Sequence, residues 1–195
     1  MPVKSPSPKF AEETRDTLIQ EALELFARHG YAGTSIDRIA EKVNMTKGAV
    51  YYYFSSKKEV LIACYQRQAQ WVAEAVGAVP ETDNPWDDTL RLCDTFLDFV
   101  VSNGRHTMPL QEVITFLGWE TWRDIDSSYT MGTLAHTISR LQDGGWLKPY
   151  PRNLLNSMIY GVLVEAAINL ASSPDDYTLQ DMKTLVADFL GGMRA

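Results

Sequence analysis

Between Thr34 and Lys58 the chain reads Thr-Ser-Ile-Asp-Arg-Ile-Ala-Glu-Lys-Val-Asn-Met-Thr-Lys-Gly-Ala-Val-Tyr-Tyr-Tyr-Phe-Ser-Ser-Lys-Lys. Two short helices joined by a tight turn account for it. Thr34 and Ser35 are competent to cap the first, whose apolar side is Ile36, Ile39, Ala40 and Val43 at helical spacing. Asn44 and Met45 supply the turn, and Thr46 can accept from the free N–H groups of the second helix. This layout is a helix-turn-helix, whose second helix enters the DNA major groove.

A helical wheel divides the second element. At 100° per residue, Lys47, Gly48, Tyr51 and Tyr52 fall within an arc of about 140°. Thr46, Ala49, Val50 and Tyr53 fall on the other side, toward the domain core. The outward face therefore carries a cation, a residue without a side chain and two amphipathic rings. Lys47 can reach a guanine edge or a phosphate. Gly48 lets the backbone approach DNA closely, although glycine costs about 1 kcal/mol in a helix interior. The tyrosines offer hydroxyls to phosphates and ring faces to thymine methyls or sugars. A tyrosine-rich core hairpin is the competing reading of Tyr-Tyr-Tyr-Phe alone; Thr-Lys-Gly before it and Ser-Ser-Lys-Lys after it favour DNA contact.

Residues 15–61 resemble the DNA-binding domain of the TetR family of one-component transcriptional regulators. The matching stretches are Ala22–Phe26, His29–Gly30–Tyr31, Thr34–Ser35–Ile36, Ile39–Ala40, Met45–Phe54 and Ser56–Lys57. The resemblance implies that Thr34 is a phosphate-contacting N-cap and that Thr46, Lys47, Gly48 and Tyr52 read bases. It implies that Tyr51 contacts the backbone and that Lys57 binds phosphate at the positive end of the next helix. Tyr53 departs from the pattern, since many relatives carry a backbone-contacting histidine there, and the wheel turns it inward.

A sequence pI of about 4.9 opposes DNA binding until the charge is divided. Residues 1–67 hold ten basic and eight acidic side chains, a net of +2, and residues 68–195 hold eight and seventeen, a net of −9. Within 34–58 five basic residues face two acidic ones, a net of +3. The positive field is local to the motif, and the acidic remainder repels phosphate and orients the molecule. Specific contacts must then contribute more than in a basic protein. Mean hydropathy of −0.20 fits a soluble chain, and no apolar run reaches the roughly 18–20 residues of a membrane span. Cys64 and Cys93 stand in no metal or redox spacing, so a cytoplasmic location is expected.

The rest reads as helix after helix, an all-α fold with a three-helix N-terminal domain and a larger helical domain. The expected division is a flexible N-terminal arm over 1–9, a DNA-binding domain over 10–55, and an effector-binding and dimerisation domain over 56–195. Helices are expected at about 10–29, 36–43, 47–53, 56–78, 86–103, 107–117, 119–142, 152–172 and 178–191, with Pro174 separating the last two. Leu155, Ile159, Val162 and Leu163 with Leu185 and Phe189 are candidates for a twofold four-helix interface, against burial within one chain. The resemblance implies the same homodimer, which sets two recognition helices about 34–36 Å apart on a palindromic DNA operator.

All five tryptophans follow the motif, and bundles rich in large aromatic residues can enclose an apolar cavity. TetR-like proteins generally hold an effector in this domain. Phe96, Phe99, Met108, Phe116, Trp119, Trp122, Tyr129 and Tyr160 are therefore candidate contacts for a lipophilic or aromatic small molecule. Glu165 interrupts an apolar run and must be paired, hydrated or at a boundary; a cationic effector is one possible partner. His106 and His136 lack metal spacing, and no cofactor is implied. The expected mechanism is repression with ligand-induced release, in which the effector shifts the helix at 56–78. Two alternatives are a TetR-like coregulator that no longer binds DNA and, remotely, a small all-α enzyme; no ordered catalytic set supports the latter.

Overall fold

The computed structural model describes residues 8–173 and 176–195. The described residues form ten helices: α1 Pro8–His29, α2 Ile36–Lys42, α3 Lys47–Tyr53, α4 Lys57–Gly77, α5 Pro85–Asn103, α6 Leu110–Leu117, α7 Trp119–Tyr129, α8 Met131–Asp143, α9 Arg152–Ser172 and α10 Leu179–Gly191. They contain no strand, only an isolated antiparallel bridge between Leu147 and Arg194. Residues 1–7 of the expected arm and Pro174 lie outside the described residues, while Lys9 belongs to α1.

Helix boundaries follow from side chains that satisfy free N–H groups. Ser35 caps α2 by accepting from Arg38 N at 3.1 Å, and Thr46 caps α3 from Ala49 N at 3.2 Å. Ser56 caps α4 from Glu59 N at 3.2 Å, and Glu59 Oε2 accepts Ser55 N at 2.7 Å. Asn44 turns the chain between α2 and α3 with φ of 54°, a conformation asparagine tolerates better than branched residues do. A reciprocal Thr178–Asp181 capping box starts α10.

The expected helix at 119–142 is two helices. At Thr130 the chain leaves α7 and re-enters as α8. The Thr130 hydroxyl lies 3.0 Å from Asp126 O and 2.6 Å from Asp126 Oδ2, so it competes for the carbonyl that closes the last turn of α7. The apolar periodicity runs through this break and conceals it. The segment expected from 107 becomes helical only at Leu110, with Pro109 (φ −58°, ψ 133°) as the extended residue before it.

Helix α1 packs on α4 and α2 on α3, around buried Leu23, Phe26, Ile36, Ile39, Ala40, Val50, Phe54 and Val60. Helix α4 continues from this unit into the larger one, where it meets α5, α6, α7 and α8. Helix α9 lies among α5, α6, α8 and α10. Contrary to expectation, α9 is long and apolar enough to span a membrane by length and composition. Leu155, Ile159, Tyr160, Leu163, Ala166, Ala167 and Leu170 are buried in the bundle, which identifies a core helix.

Candidate functional site

The outward face of α3 carries the four residues the wheel places there, and Thr46, which the wheel turns toward the core, is exposed as the N-cap. Lys47, Gly48, Tyr51 and Tyr52 are exposed, Tyr52 at 71%, while Val50 is fully buried. Tyr53 is half-buried against the core and meets Tyr52 edge-on, their centroids 5.1 Å apart. A Cβ placed on Gly48 meets only Thr46 Oγ1, at 3.9 Å. Nothing inside the protein therefore requires a glycine at this position in the first turn of α3. Lys47 Nζ donates to Asp37 Oδ2 at 2.7 Å across the α2–α3 corner, and this hydrogen bond raises the lysine pKa.

Two of the expected DNA-contact residues have internal partners in the free protein. Thr34 is buried, its hydroxyl 2.9 Å from Gly30 O and 3.2 Å from Leu25 O, so Ser35 alone caps α2 and Thr34 pins the turn after α1. Lys57 turns inward. Its ammonium donates to Tyr31 O at 2.7 Å and Thr34 O at 2.9 Å and lies 4.0 Å from the centroid of the Tyr31 ring. Helix starts favour acceptors of their N–H groups, but the nearby carbonyls of the Tyr31–Thr34 turn take this lysine first.

The same turn is held from the larger domain. Glu112 Oε1, on α6, accepts Tyr31 N at 2.5 Å, and Phe116 packs on the Tyr31 ring with centroids 4.6 Å apart. Phe116 thus packs across the junction of the two domains and is not among the residues lining the cavity of the larger one. Gly30 precedes this clasp with φ of 70°, and a Cβ there would come within 2.9 Å of the Glu112 carboxylate.

The larger domain encloses a cavity of about 110 Å³ between α4, α5, α8, α9 and the approach to α6. Phe96, Phe99, Met108 and Tyr160 line it as expected, with Tyr65, Gln68, Val72, Leu134, Leu163 and Val164. Trp122 is buried behind the wall, and Trp119 is 55% exposed, beside it. Tyr129 packs on the core without reaching the cavity. Glu165 is exposed on α9 and accepts from Asn169 Nδ2 at 3.0 Å, so it is a boundary carboxylate outside the cavity.

The polar end of the cavity was not legible in the sequence. Trp122 Nε1 donates to Tyr65 OH at 2.6 Å, and Tyr65 OH donates to Asp126 Oδ1 at 2.7 Å. Tyr160 OH donates to Asp126 Oδ2. Burial pushes both phenols above their usual range, and the neighbouring Asp126 charge adds to it. Opposite, Gln68 Nε2 donates to Met108 O at 3.0 Å while its Oε1 accepts Met108 N at 2.8 Å. That pair ties α4 to the segment entering α6.

The candidate interface also divides. Leu155, Ile159 and Leu163 are core residues of the chain itself. Apolar residues are spread around helix α9, and its outer face mixes them with the exposed Glu165. On that face Leu154 and Met158 are each 53% exposed and Val162 is partly exposed, and on the adjoining α10 Leu185 is 64% and Phe189 39% exposed.

Residues 18–64 match the family described as bacterial regulatory proteins, tetR family, and residues 86–193 match the tetracyclin repressor-like C-terminal domain. The chain belongs to the TetR family. It is 30% identical over 158 residues to the transposon Tn10 TetC protein of Escherichia coli, covering 81% of this chain and 80% of that one. A TetR-family regulator from Pectobacterium atrosepticum has the same fold at a TM-score of 0.76 and 24% identity, over 97% and 98% of the two chains. So does a Saccharomonospora viridis regulator in complex with choline, at 0.74 and 18% over 94% and 99%. FadR of Bacillus subtilis, in complex with stearoyl-CoA, superposes at 0.72 with 18% identity over 90% and 96%. The protein is thus a TetR-family transcriptional regulator, with a helix-turn-helix DNA-binding domain and a ligand-binding domain.

Proposed function

We propose that this regulator is a cytoplasmic repressor that binds a palindromic operator as a homodimer and leaves it when a small molecule enters the C-terminal cavity. The observation that carries the reading is the double membership of α4. Val60, Leu61 and Cys64 are buried in the helix, and the Cys64 thiol lies 3.5 Å from Ile19 O on α1. Within one turn, Tyr65, Gln68 and Ala69 line the cavity. A ligand that displaces the cavity face of α4 moves the helix on which the DNA-binding unit rests.

The α3 face supports DNA contact by Thr46, Lys47, Gly48, Tyr51 and Tyr52. Open space at Gly48 suits close approach of a DNA backbone, since no internal contact offsets the cost of glycine there. The exposed stripe of Leu154, Met158, Val162, Leu185 and Phe189 supports a twofold helical interface. The ligand preference differs between the choline and stearoyl-CoA complexes of this fold, so the effector of this protein follows from its own lining residues.

Fluorescence anisotropy with a duplex from the region upstream of its own gene tests the reading. Saturable binding of one dimer per palindrome, competed poorly by unrelated DNA, is the expected result. Equal affinity for unrelated DNA, or binding by a monomer, would overturn it.

A further inference from the structure

Among the described residues lining the cavity, Asp126 is the only charged one. It is buried, and its three side-chain partners are neutral hydroxyls: Tyr65, Tyr160 and Thr130. The direction of one bond is fixed. An indole N–H can only donate, so Trp122 fills an acceptor position of Tyr65 OH and leaves the Tyr65 proton for Asp126. Arg123 is the nearby cation, but its guanidinium stacks 5.5 Å from the Tyr160 ring centroid and 5.6 Å from that of Trp119. Among the described residues, no lysine, arginine or histidine comes within ion-pair distance of Asp126.

A carboxylate in such a place is oriented but lacks a countercharge. Taking an ion out of water costs several kcal/mol even after relaxation, and hydroxyl dipoles return only part of that. Two phenol protons, and the one Thr130 proton that lies within reach of both Asp126 O and Oδ2, leave at least one of the roughly four acceptor positions of the carboxylate open. The remaining wall is aliphatic and aromatic, with Phe96 and Phe99 among its rings. Aromatic faces attract a desolvated cation as well as an apolar body.

We infer that the cavity selects an apolar molecule carrying a single cationic nitrogen, with Asp126 as the anchor for that charge. This rests on the proposed role of the cavity as the effector site. A protonated amine supplies the missing countercharge and a donor for the open acceptor position, while its hydrocarbon part covers the apolar wall. A carboxylate or phosphate ligand is repelled by the same residue. The selectivity is therefore by sign of charge as well as by shape.

The test uses the full-length protein and three probes that share one ring: benzylamine, benzyl alcohol and benzoate. Binding is followed by calorimetry, and DNA affinity is measured at saturating probe. The expected result is benzylamine bound at least about tenfold more tightly than benzyl alcohol, with benzoate weakest. Asp126→Asn brings amine and alcohol to within about threefold of each other. Should that variant not fold, the amine-over-alcohol preference of the unaltered protein tests the cationic selectivity, and an Asp126 carboxyl carbon resonance that stays unmoved on benzylamine binding overturns the anchor. Equal binding of amine and alcohol overturns the cationic preference and leaves the cavity reading intact. An Asp126→Asn protein that keeps the preference overturns the anchor. Binding that depends on Asp126 but leaves DNA affinity unchanged supports the anchor and overturns the effector role of the cavity. No binding of any probe overturns both.

Discussion

Glu112 on α6 accepts the main-chain N–H of Tyr31, 81 residues earlier, at 2.5 Å. One hydrogen bond thus joins the helix that begins beside the cavity to the turn that positions the helix-turn-helix. Met108 and Pro109 line the cavity, and α6 begins one residue later. Motion of the Met108 segment has a path of three residues to Glu112. Gln68, bonded to both main-chain groups of Met108, gives α4 the same information.

Glu112→Leu removes the acceptor and leaves the Tyr31 N–H half-buried without a partner. The expected cost is about 1–2 kcal/mol. Amide exchange followed by NMR should show Tyr31 losing protection while Val50 and Ile39, in the core of the same unit, keep theirs. Unchanged exchange at Tyr31 counts against the clasp.

Lys47 and Asp37 give a second expectation. Lys47→Ala should weaken operator binding by about tenfold or more while leaving dimerisation intact. Asp37→Asn acts in the opposite direction, because it frees Lys47 from its internal partner and removes a negative charge from the α2–α3 corner. Anisotropy titrations at two salt concentrations separate these effects. A tighter Asp37→Asn complex is expected, and a weaker one would mean that the pair orients Lys47 for its DNA contact.

The exposed face of α3 was legible because its spacing is local. Lys47, Gly48, Tyr51 and Tyr52 lie within one short helix, so a wheel suffices to place them together. The cavity was legible in its large apolar side chains, and Phe96, Phe99, Met108 and Tyr160 reach it. Asp126 sits in a stretch, Trp-Arg-Asp-Ile-Asp-Ser-Ser-Tyr, that reads as a polar helix surface. Its burial depends on Tyr65 and Tyr160, 61 and 34 residues away, and no local pattern reports such partners. The inward turn of Lys57 was hidden for a related reason: the carbonyls that hold it belong to a turn 23 to 26 residues earlier. Helix α9 has apolar residues all around it, and only packing separates Leu154 from Leu155.

That neighbouring pair supplies the third expectation. Leu154 is 53% exposed and Leu155 3%. Leu154→Glu or Leu185→Glu should give a folded monomer with weakened operator binding, read by analytical ultracentrifugation and circular dichroism. Leu155→Ala should lower thermal stability by about 2–5 kcal/mol, as large-to-small core changes do. A Leu185→Glu protein that remains dimeric would move the interface away from α10.

Asp88 makes stability depend on acid. Burial opposes its charge, but the Thr82 main-chain N–H and hydroxyl and the Arg140 guanidinium outweigh that, holding the carboxyl at about 2. Its pKa in the unfolded chain is about 3.9. The stabilisation is therefore complete above that value and is lost as pH falls through the folded value. Asp88→Asn should lower the melting temperature near neutrality and flatten its fall below about pH 4. Parallel melting curves for the two proteins across that range would exclude the network as the cause.

Lys57 separates a structural lysine from a phosphate-binding one. Removing a phosphate contact lowers the slope of log affinity against log salt by about one unit. Lys57→Ala in this protein removes two hydrogen bonds to the Tyr31–Thr34 turn and a cation over the Tyr31 ring. Hydrogen bonds from charged donors are worth about 1.5–3 kcal/mol, so the variant should melt earlier. Operator affinity should fall because the turn before α2 loses its brace, with the salt slope unchanged. A reduced slope at unaltered melting temperature would mean that Lys57 leaves Tyr31 and swings to phosphate when DNA binds.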